Sequence, residues 1–497
     1  MGHQRVVRYL AGFGTGVRFG VHNNNLTNLL RGVVERVLYV SADGALRRPP
    51  SPKAKVFDRL SSIAGRLVRA MPPTTVVARQ DYPGLYNGRK RGVYQRALES
   101  LSQRPLTRKD SYVSTFVKAE KINFSAKGDP APRVIQPRSP RYNLEVGRYL
   151  KLFEPCLGRA FERVFGHKVI LKGLNADGVA AAMHNNWQQF NSPAAVGLDA
   201  SRFDQHVSVD ALRFEHGVYN SVFKSPELRE LLEWQLHNVG FGRVGDSLVR
   251  YKVDGCRMSG DINTGMGNCL IMSCIVIGYL ESRGIKWRLA NNGDDCVVFC
   301  ERSDLPQLAG IADWFLDFGF KLTQEPPVFV LEEVEFCQAH PVLLSTGWRM
   351  VRNPFTAMSK DCVSLLGWAT EAEFETWRDA IGTCGRELTT GVPVWESFYR
   401  AVQVGSRRGG LEAIYDSGLG YMARGVRAAR ITPESRHSFW RAFGIDPDQQ
   451  VALESSWPTI CWGEPLALVF TDTAQQSPLQ WLSPSNLAAT SAHKIWL

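Results

Sequence analysis

Asp294 and Asp295 follow a glycine in NNGDDC (291–296), with apolar runs on both sides. Gly-Asp-Asp is a good turn sequence in its own right, because Gly reaches positive φ and Asp side chains cap nearby backbone. The chemical alternative is a tight hairpin that presents carboxylates to a divalent metal. That chemistry needs further carboxylates, a grip for a nucleotide and a basic surface for a polyanion.

Further carboxylates stand in GLDASRFDQHVS (197–208), where Asp199 and Asp204 are five residues apart. Asp199 ends the apolar run AVGLD (195–199), which reads as a short buried strand. Helix N-capping is the other role such an aspartate takes. With the GDD pair, Asp199, Asp294 and Asp295 make the hard-oxygen set that two Mg²⁺ ions require. Such ions activate a 3′-hydroxyl and stabilise a pyrophosphate leaving group. Catalysis of this kind is mostly positioning and charge neutralisation.

Two other segments carry suitable groups. In GCRMSGDINTGMGNCLIM (255–272), small polar residues sit in a Gly-rich loop before a helix. A site that selects ribose must hydrogen-bond a 2′-hydroxyl. Asp204, Ser259, Thr264 and Asn268 are of the right type, although Asn268 near the helix start also suits capping. In FVKAEKINFSAKGDPAPRVIQPRSPRYN (116–143), Lys118, Lys121, Lys127, Arg133 and Arg138 alternate with apolar residues and prolines. Arg pairs phosphate oxygens bidentately and Lys adds point charge, so this segment suits a triphosphate. A solvated basic hairpin is the plainer alternative.

The elements that must hold these residues are short. Strands are expected over 195–199, 285–290 and 296–300, and a helix over 267–283. Residues 26–40 and 305–320 have helical apolar spacing, whereas 327–338 and 340–351 read as strands. The stretch 41–53 reads as a linker. From about 352 the chain is Trp-rich and helix-like, with breaks near Gly391 and Pro433. Mixed elements to 350 and helices after it predict an α+β fold with an appended helical region.

Composition narrows the classes. The chain has 497 residues, 44% hydrophobic and 22% charged, which suffices for a large core. The apolar run at 268–280 is too short to span a bilayer and is expected to be a core helix. No secretory signal is evident, and Val6 stands where a myristoylation signal needs Ser or Thr. The ten cysteines are scattered without zinc-site spacing, so reduced, packed thiols are expected. No P-loop occurs. Residues 1–150 hold 27 Lys and Arg against 9 Asp and Glu, while the rest holds 32 against 39. This confined basicity points to a polyanion, nucleic acid before membrane headgroups.

The order KAEK, PRVIQPR, DxxxxD, SGxxNTxxGN and GDD resembles the motif series of positive-strand RNA virus RNA-dependent RNA polymerases. The wording VKAEK, DASRFDQHVS, GCRMSGDINTGMGN, NNGDDC and EEVEFCQ resembles the tombusvirus family of plant viruses, with its carmovirus-like and umbravirus relatives. GVHNNNLTNLLRGVVERV (20–37) resembles the start of that family's polymerase region.

The resemblance implies a right-hand fold of fingers, palm with an antiparallel sheet, and a mostly helical thumb. On this chain it implies an N-terminal extension reaching the fingertips (1–80) and fingers (81–195). It then implies palm (196–214), a fingers insertion (215–254), palm again (255–350) and thumb (351–497). It implies Asp199 and Asp294 as principal metal ligands beside Asp295, with Mg²⁺ as cofactor and Mn²⁺ as substitute. Asp204 and Asn268 become ribose readers, helped by Ser259 and Thr264, and Arg133 with its neighbouring lysines becomes the nucleotide grip. Lys321, in GFKLTQEPP, falls where related polymerases carry a lysine that protonates pyrophosphate; a surface charge is its other reading. Expected partners are single-stranded RNA template, nascent RNA and NTPs. Family members are commonly made as extensions of a membrane-anchored auxiliary protein. This chain shows no anchor, so it is expected either as the polymerase portion alone or to dock through such a partner, at membrane-bound replication complexes in host cytoplasm. Two other readings stand beside it. A reverse transcriptase shares the palm carboxylates but has no use for Asp204 and Asn268 as 2′-hydroxyl readers. A structural RNA-binding protein would use the basic first third but not the three aspartates together.

Overall fold

The computed structural model describes residues 4–14, 16–42, 44–126, 128–405, 414, 418–468 and 494–497. At its centre is a four-stranded antiparallel sheet. Its strands are β1 (Pro193–Ala200), β2 (Trp287–Asn292), β3 (Asp295–Glu301) and β4 (Leu322–Gln324). The spatial order is β2–β3–β1–β4. Both faces are covered. Val196, Leu198, Val298 and Cys300 pack into one core, and Ala195, Ala290, Val297 and Phe299 into another. Burial on both sides is why these strands read as continuous apolar runs rather than as alternating ones.

Two helices matter most to the site, α1 (Val209–Phe223) and α2 (Thr264–Arg283). α2 is apolar on nearly every side, as a helix in the middle of a core should be. It is long and apolar enough to cross a membrane, but 78% of that stretch is buried inside the protein. Burying each of its Leu and Ile side chains stabilises the fold by roughly 1.5–3 kcal/mol. Among the described residues it is the one helix of that kind.

A second sheet is built on the hairpin His237–Val244 and Ser247–Asp254, flanked by Val113–Ser114 and Lys494–Trp496, both parallel. Val113, Val249 and Tyr251 face Leu29, Leu30 and Val33 of the helix Leu26–Val33. The hairpin Ala339–Leu344 and Gly347–Arg352 leads into the helices Glu371–Thr389, Trp395–Val402, Pro433–Phe443 and Pro447–Ser456. The strand Val7–Ala11 pairs with Val363–Ser364 and Gly463–Leu468, tying the two ends of the sequence together. All ten cysteines are unpaired.

Several expected elements take a different form. The helix expected over 26–40 stops at Val33 and becomes a π-turn over Val34–Leu38, then a short strand Val40–Ala42. That strand pairs with Ala45–Arg47, inside the stretch read as a linker. The helix expected over 305–320 is a 3₁₀ turn Arg302–Leu308 and then a helix Ile311–Asp317, because Pro306 interrupts the first part. The strand expected over 327–338 is absent. Pro326 and Pro327 carry no N–H to extend the ladder past Gln324, and isolated bridges at Val328 and Phe336 with a turn Leu331–Glu333 between them follow. The strand expected over 340–351 is the hairpin just described. Gly391 and Pro433 break the helical region as expected, Gly391 at φ +75° and Pro433 opening a helix.

His167 braces the strand that leads to the GDD turn. Its Nδ1 bonds the Phe165 carbonyl at 3.1 Å and its Nε2 accepts from the Leu289 N–H at 3.0 Å, an arrangement only the neutral ring makes. Burial lowers its pKa to about 4, and burial does the same for His216, also to about 4. The unfolded chain therefore takes up these protons first. Stability is fully present above the ordinary histidine pKa of about 6.5 and is lost as pH falls towards 4. Each histidine is expected to cost about 2 kcal/mol between pH 6.5 and 5. Thermal melts at pH 7.5 and 5.0 check this; His167→Gln, which keeps an acceptor for Leu289, should shrink the difference, and an unchanged difference would refute the assignment.

Candidate active site

The turn between β2 and β3 has two central residues, Gly293 and Asp294, because Asn292 pairs with Asp295. Gly293 sits at φ +85°, in the first central position, as a type II′ hairpin demands. The Asn291 side chain locks the turn: its Nδ2 donates to Gly293 O at 2.7 Å and its Oδ1 accepts from Gly293 N at 3.2 Å. The next pairing step puts Asp295 of β3 directly across from Asp199 of β1. Asp199 is thus a strand residue, not a helix cap.

This register stacks like charges. Asp295 is open to solvent yet walled by protein on most sides. That desolvation raises its carboxyl, the Asp294 and Asp199 charges raise it further, and a hydrogen bond with Cys337 opposes them. Glu325 is raised by burial and then by Glu335, Asp199 and Asp295. No arginine or lysine pairs with Asp199, Asp294 or Asp295 among the described residues. The donor set is all carboxylate oxygen, which suits a hard divalent cation, and a cation would relieve the repulsion. The residues fit Mg²⁺ in chemistry. As they stand, no three His, Cys, Asp or Glu groups among the described residues converge tightly enough to hold a metal.

Asp294 shares a cavity of about 220 Å³ with Asp204, Ser259, Lys118, Arg133, Arg36, Arg202 and Arg257. Asp204 lies in the short helix Phe203–His206, entered through Arg202 at φ +47°. Its Oδ1 accepts from Asn268 Nδ2 at 2.7 Å. Burial raises the Asp204 carboxyl; the Asn268 bond and Arg257 oppose this, and Asp294 adds to it. Ser259 Oγ accepts from Gln136 N at 2.9 Å, joining the loop to the basic segment.

The cavity's cationic wall comes from three parts of the chain. Glu120 holds Lys118 at 2.9 Å and Arg133 at 3.3 Å. Arg202 donates to the Glu35 carbonyl, and Gln205 Nε2 donates to the Tyr39 carbonyl at 2.8 Å, so the turn at 34–39 is clamped over the site. That turn delivers Arg36, whose pKa falls to about 10 through burial and the neighbouring Arg202 and Arg133 charges. It remains a full cation at neutral pH. Sequence reasoning missed Arg36, Arg202, Arg257 and Glu325. All four lie inside motif stretches of the sequence, Arg36 in GVHNNNLTNLLRGVVERV and Glu325 in GFKLTQEPP, but nothing local says which charges face the site.

Other expected residues lie elsewhere. Arg138 does not line the cavity. Its side chain is 1% exposed and ion-paired with Asp261, and it donates to Asn238 Oδ1 at 2.7 Å, so burial has turned it into an internal brace. The Thr264 hydroxyl donates to the Met258 carbonyl at 2.8 Å and shapes the loop. Asn268 does not cap the helix, which starts at Thr264. Lys121 acts on Lys360 and Cys362, outside the cavity. Lys127 lies outside the described residues. Lys321 stands beside the Asp199–Asp204 turn, where its carbonyl accepts from Ser201 N at 3.0 Å, but it does not line the cavity. A larger, mostly apolar cavity of about 580 Å³ lies near Asn292 and Cys337, against Leu388, Trp395 and Tyr421.

Comparison with known sequences is unambiguous. A family described as "Viral RNA dependent RNA polymerase" matches residues 2–460. The RNA-directed RNA polymerase of Turnip crinkle virus is 47% identical over 466 residues, covering 92% of this chain and 60% of that protein. Those of Pothos latent virus (isolate Pigeonpea/India) and Cucumber necrosis virus are 47% and 45% identical, covering 89% and 93% of this chain and 60% and 57% of theirs. The chain thus spans about three-fifths of the length of the curated relatives it matches.

Proposed function

The chain belongs to the viral RNA-dependent RNA polymerase family, and from that premise we propose that it copies positive-strand RNA by templated addition of nucleotides from NTPs. The observation that carries this is the register of Asp199 against Asp295, with Asp294 beside them in one cavity with Asp204 and the cationic side chains of Arg36, Lys118, Arg133 and Arg202. Asp199, Asp294 and Asp295 would hold Mg²⁺, with Mn²⁺ as substitute. The metal would lower the pKa of a 3′-hydroxyl and offset charge on the leaving pyrophosphate. Arg36, Lys118, Arg133 and Arg202 would bind the triphosphate, at a wall already cationic before substrate arrives. Asp204 and Asn268 would orient the ribose, a pairing that disfavours reverse transcription. Lys321 is proposed as a proton donor to pyrophosphate from the rim of the site.

The right-hand division follows the same reading: the central sheet as palm, the segments before and between its strands as fingers, and the region after 350 as thumb. Template and nascent RNA are the proposed macromolecular partners, with a membrane-anchored auxiliary protein at cytoplasmic replication complexes. Incorporation of labelled NTP by the purified chain on a short RNA template, with Mg²⁺ or with chelator, tests the whole reading. Failure to make product in any divalent metal would reject it.

Arg36 gives a sharper prediction. Losing one charge-assisted phosphate contact costs about 1.5–3 kcal/mol. Arg36→Ala should raise KM for NTP about tenfold or more while kcat falls less, and Arg36→Lys should restore part of the loss. An unchanged KM would remove Arg36 from the binding wall.

A further inference from the structure

Behind Asp204 a polar chain runs inward from Asn268 to groups that the reaction does not touch. Asn268 Oδ1 accepts from Arg257 Nε at 3.1 Å. Arg257 forms a two-pronged ion pair with Glu215 of α1, and both side chains are 0% exposed. Glu215 Oε1 also accepts from Tyr219 OH at 2.8 Å and from Asn263 Nδ2 at 2.7 Å. Asn263 Oδ1 in turn accepts from Gln235 Nε2 at 3.1 Å. The chain therefore links α1, the loop after the 237–254 hairpin, and α2.

A buried ion pair is poor evidence of a stability device, because desolvating both charges costs about as much as their attraction returns. Its strength is geometric. An asparagine amide has two ends, one that accepts and one that donates. Arg257 can only donate, so it draws Asn268 Oδ1 towards itself and leaves Nδ2 facing the carboxylate of Asp204. Gly267, just before Asn268, makes room for this: a Cβ there would collide with both Glu215 and Arg257. The second glycine of GMGN is thus required by the ion pair rather than by the turn.

We propose that Arg257, clamped by Glu215, is a positioning residue for sugar choice: it sets the Asn268 amide and thereby the place where Asp204 and Asn268 meet a ribose 2′-hydroxyl. This rests on the polymerase reading above. Arg257 itself touches no reacting atom. Lysine at this position keeps the charge for Glu215 but lacks the planar fork that reaches Glu215 and Asn268 at once.

The test is single-nucleotide incorporation of ATP and dATP by the full chain, with kcat/KM measured for each. Arg257→Lys is expected to lower the ATP over dATP ratio about tenfold or more, almost wholly through ATP. In an Asp204→Ala background the same change should add no further loss of discrimination. If Arg257→Lys does not fold, Arg257→Met with Glu215→Leu leaves no unpaired charge and carries the same expectation. Equal loss on both nucleotides, or a loss that adds to that of Asp204→Ala, would make Arg257 a mere brace and overturn the proposal. A ratio that falls in Asp204→Ala but not on changing Arg257 overturns the positioning role alone. A wild-type chain that incorporates neither nucleotide overturns the polymerase reading with it.

Discussion

Asp294→Asn, and equally Asp199→Asn, should cut templated nucleotide addition by about a thousandfold or more while the folded chain loses no stability. The first half follows from the donor set. Each change removes one anionic oxygen ligand from a site whose metal is asked for several kcal/mol of charge stabilisation, at about 1.36 kcal/mol per decade of rate. The second half follows from the repulsion already present. Asp294 pushes up the carboxyls of both Asp295 and Asp204, so neutralising it relieves two neighbours. A melting temperature equal to wild type or higher, together with lost synthesis, marks a residue kept for chemistry at a cost in stability. RNA binding should persist, because it rests on the basic surface of the first third of the chain and not on the aspartates. Synthesis near the wild-type rate by either variant would remove that aspartate from the catalytic site; lost synthesis with a lower melting temperature would indicate a structural role instead.

Asp204→Ala should collapse sugar discrimination. In the wild-type site a dNTP leaves polar groups of Asp204 and Asn268 unmatched, at about 1–3 kcal/mol per buried group. An NTP satisfies them. Removing the carboxylate takes this advantage from the NTP and takes nothing from the dNTP, which never made the bond. The ratio of kcat/KM for NTP over dNTP is expected to fall about tenfold or more. Equal losses for ATP and dATP would instead make Asp204 a support for the turn after Asp199. The turn is held by Arg202 on the Glu35 carbonyl and Gln205 on the Tyr39 carbonyl, and the Asp204 carboxylate accepts from Asn268, which favours the first case.

The sequence by itself determined the local chemistry. Gly293 marks a tight turn because the turn needs positive φ there. Continuous apolar runs mark β1 and β3, and motif order marks the family. These signals are local, so they are legible without coordinates. Even there the limits are physical: Pro326 and Pro327 end a ladder that the apolar run after them suggests should continue, and Pro306 divides a helix whose spacing looks unbroken. The tertiary structure alone decided which charges face the cavity. Arg133 and Arg138 are five residues apart in one basic segment, yet Arg133 is 60% exposed at the cavity wall and Arg138 is sealed against Asp261. Arg36 reaches the same wall from almost a hundred residues upstream, and Glu215 joins Asn268 only through Arg257. Charge type is written in the sequence, but desolvation and pairing depend on which distant segments pack together, and long-range packing leaves no mark at the residue that it buries.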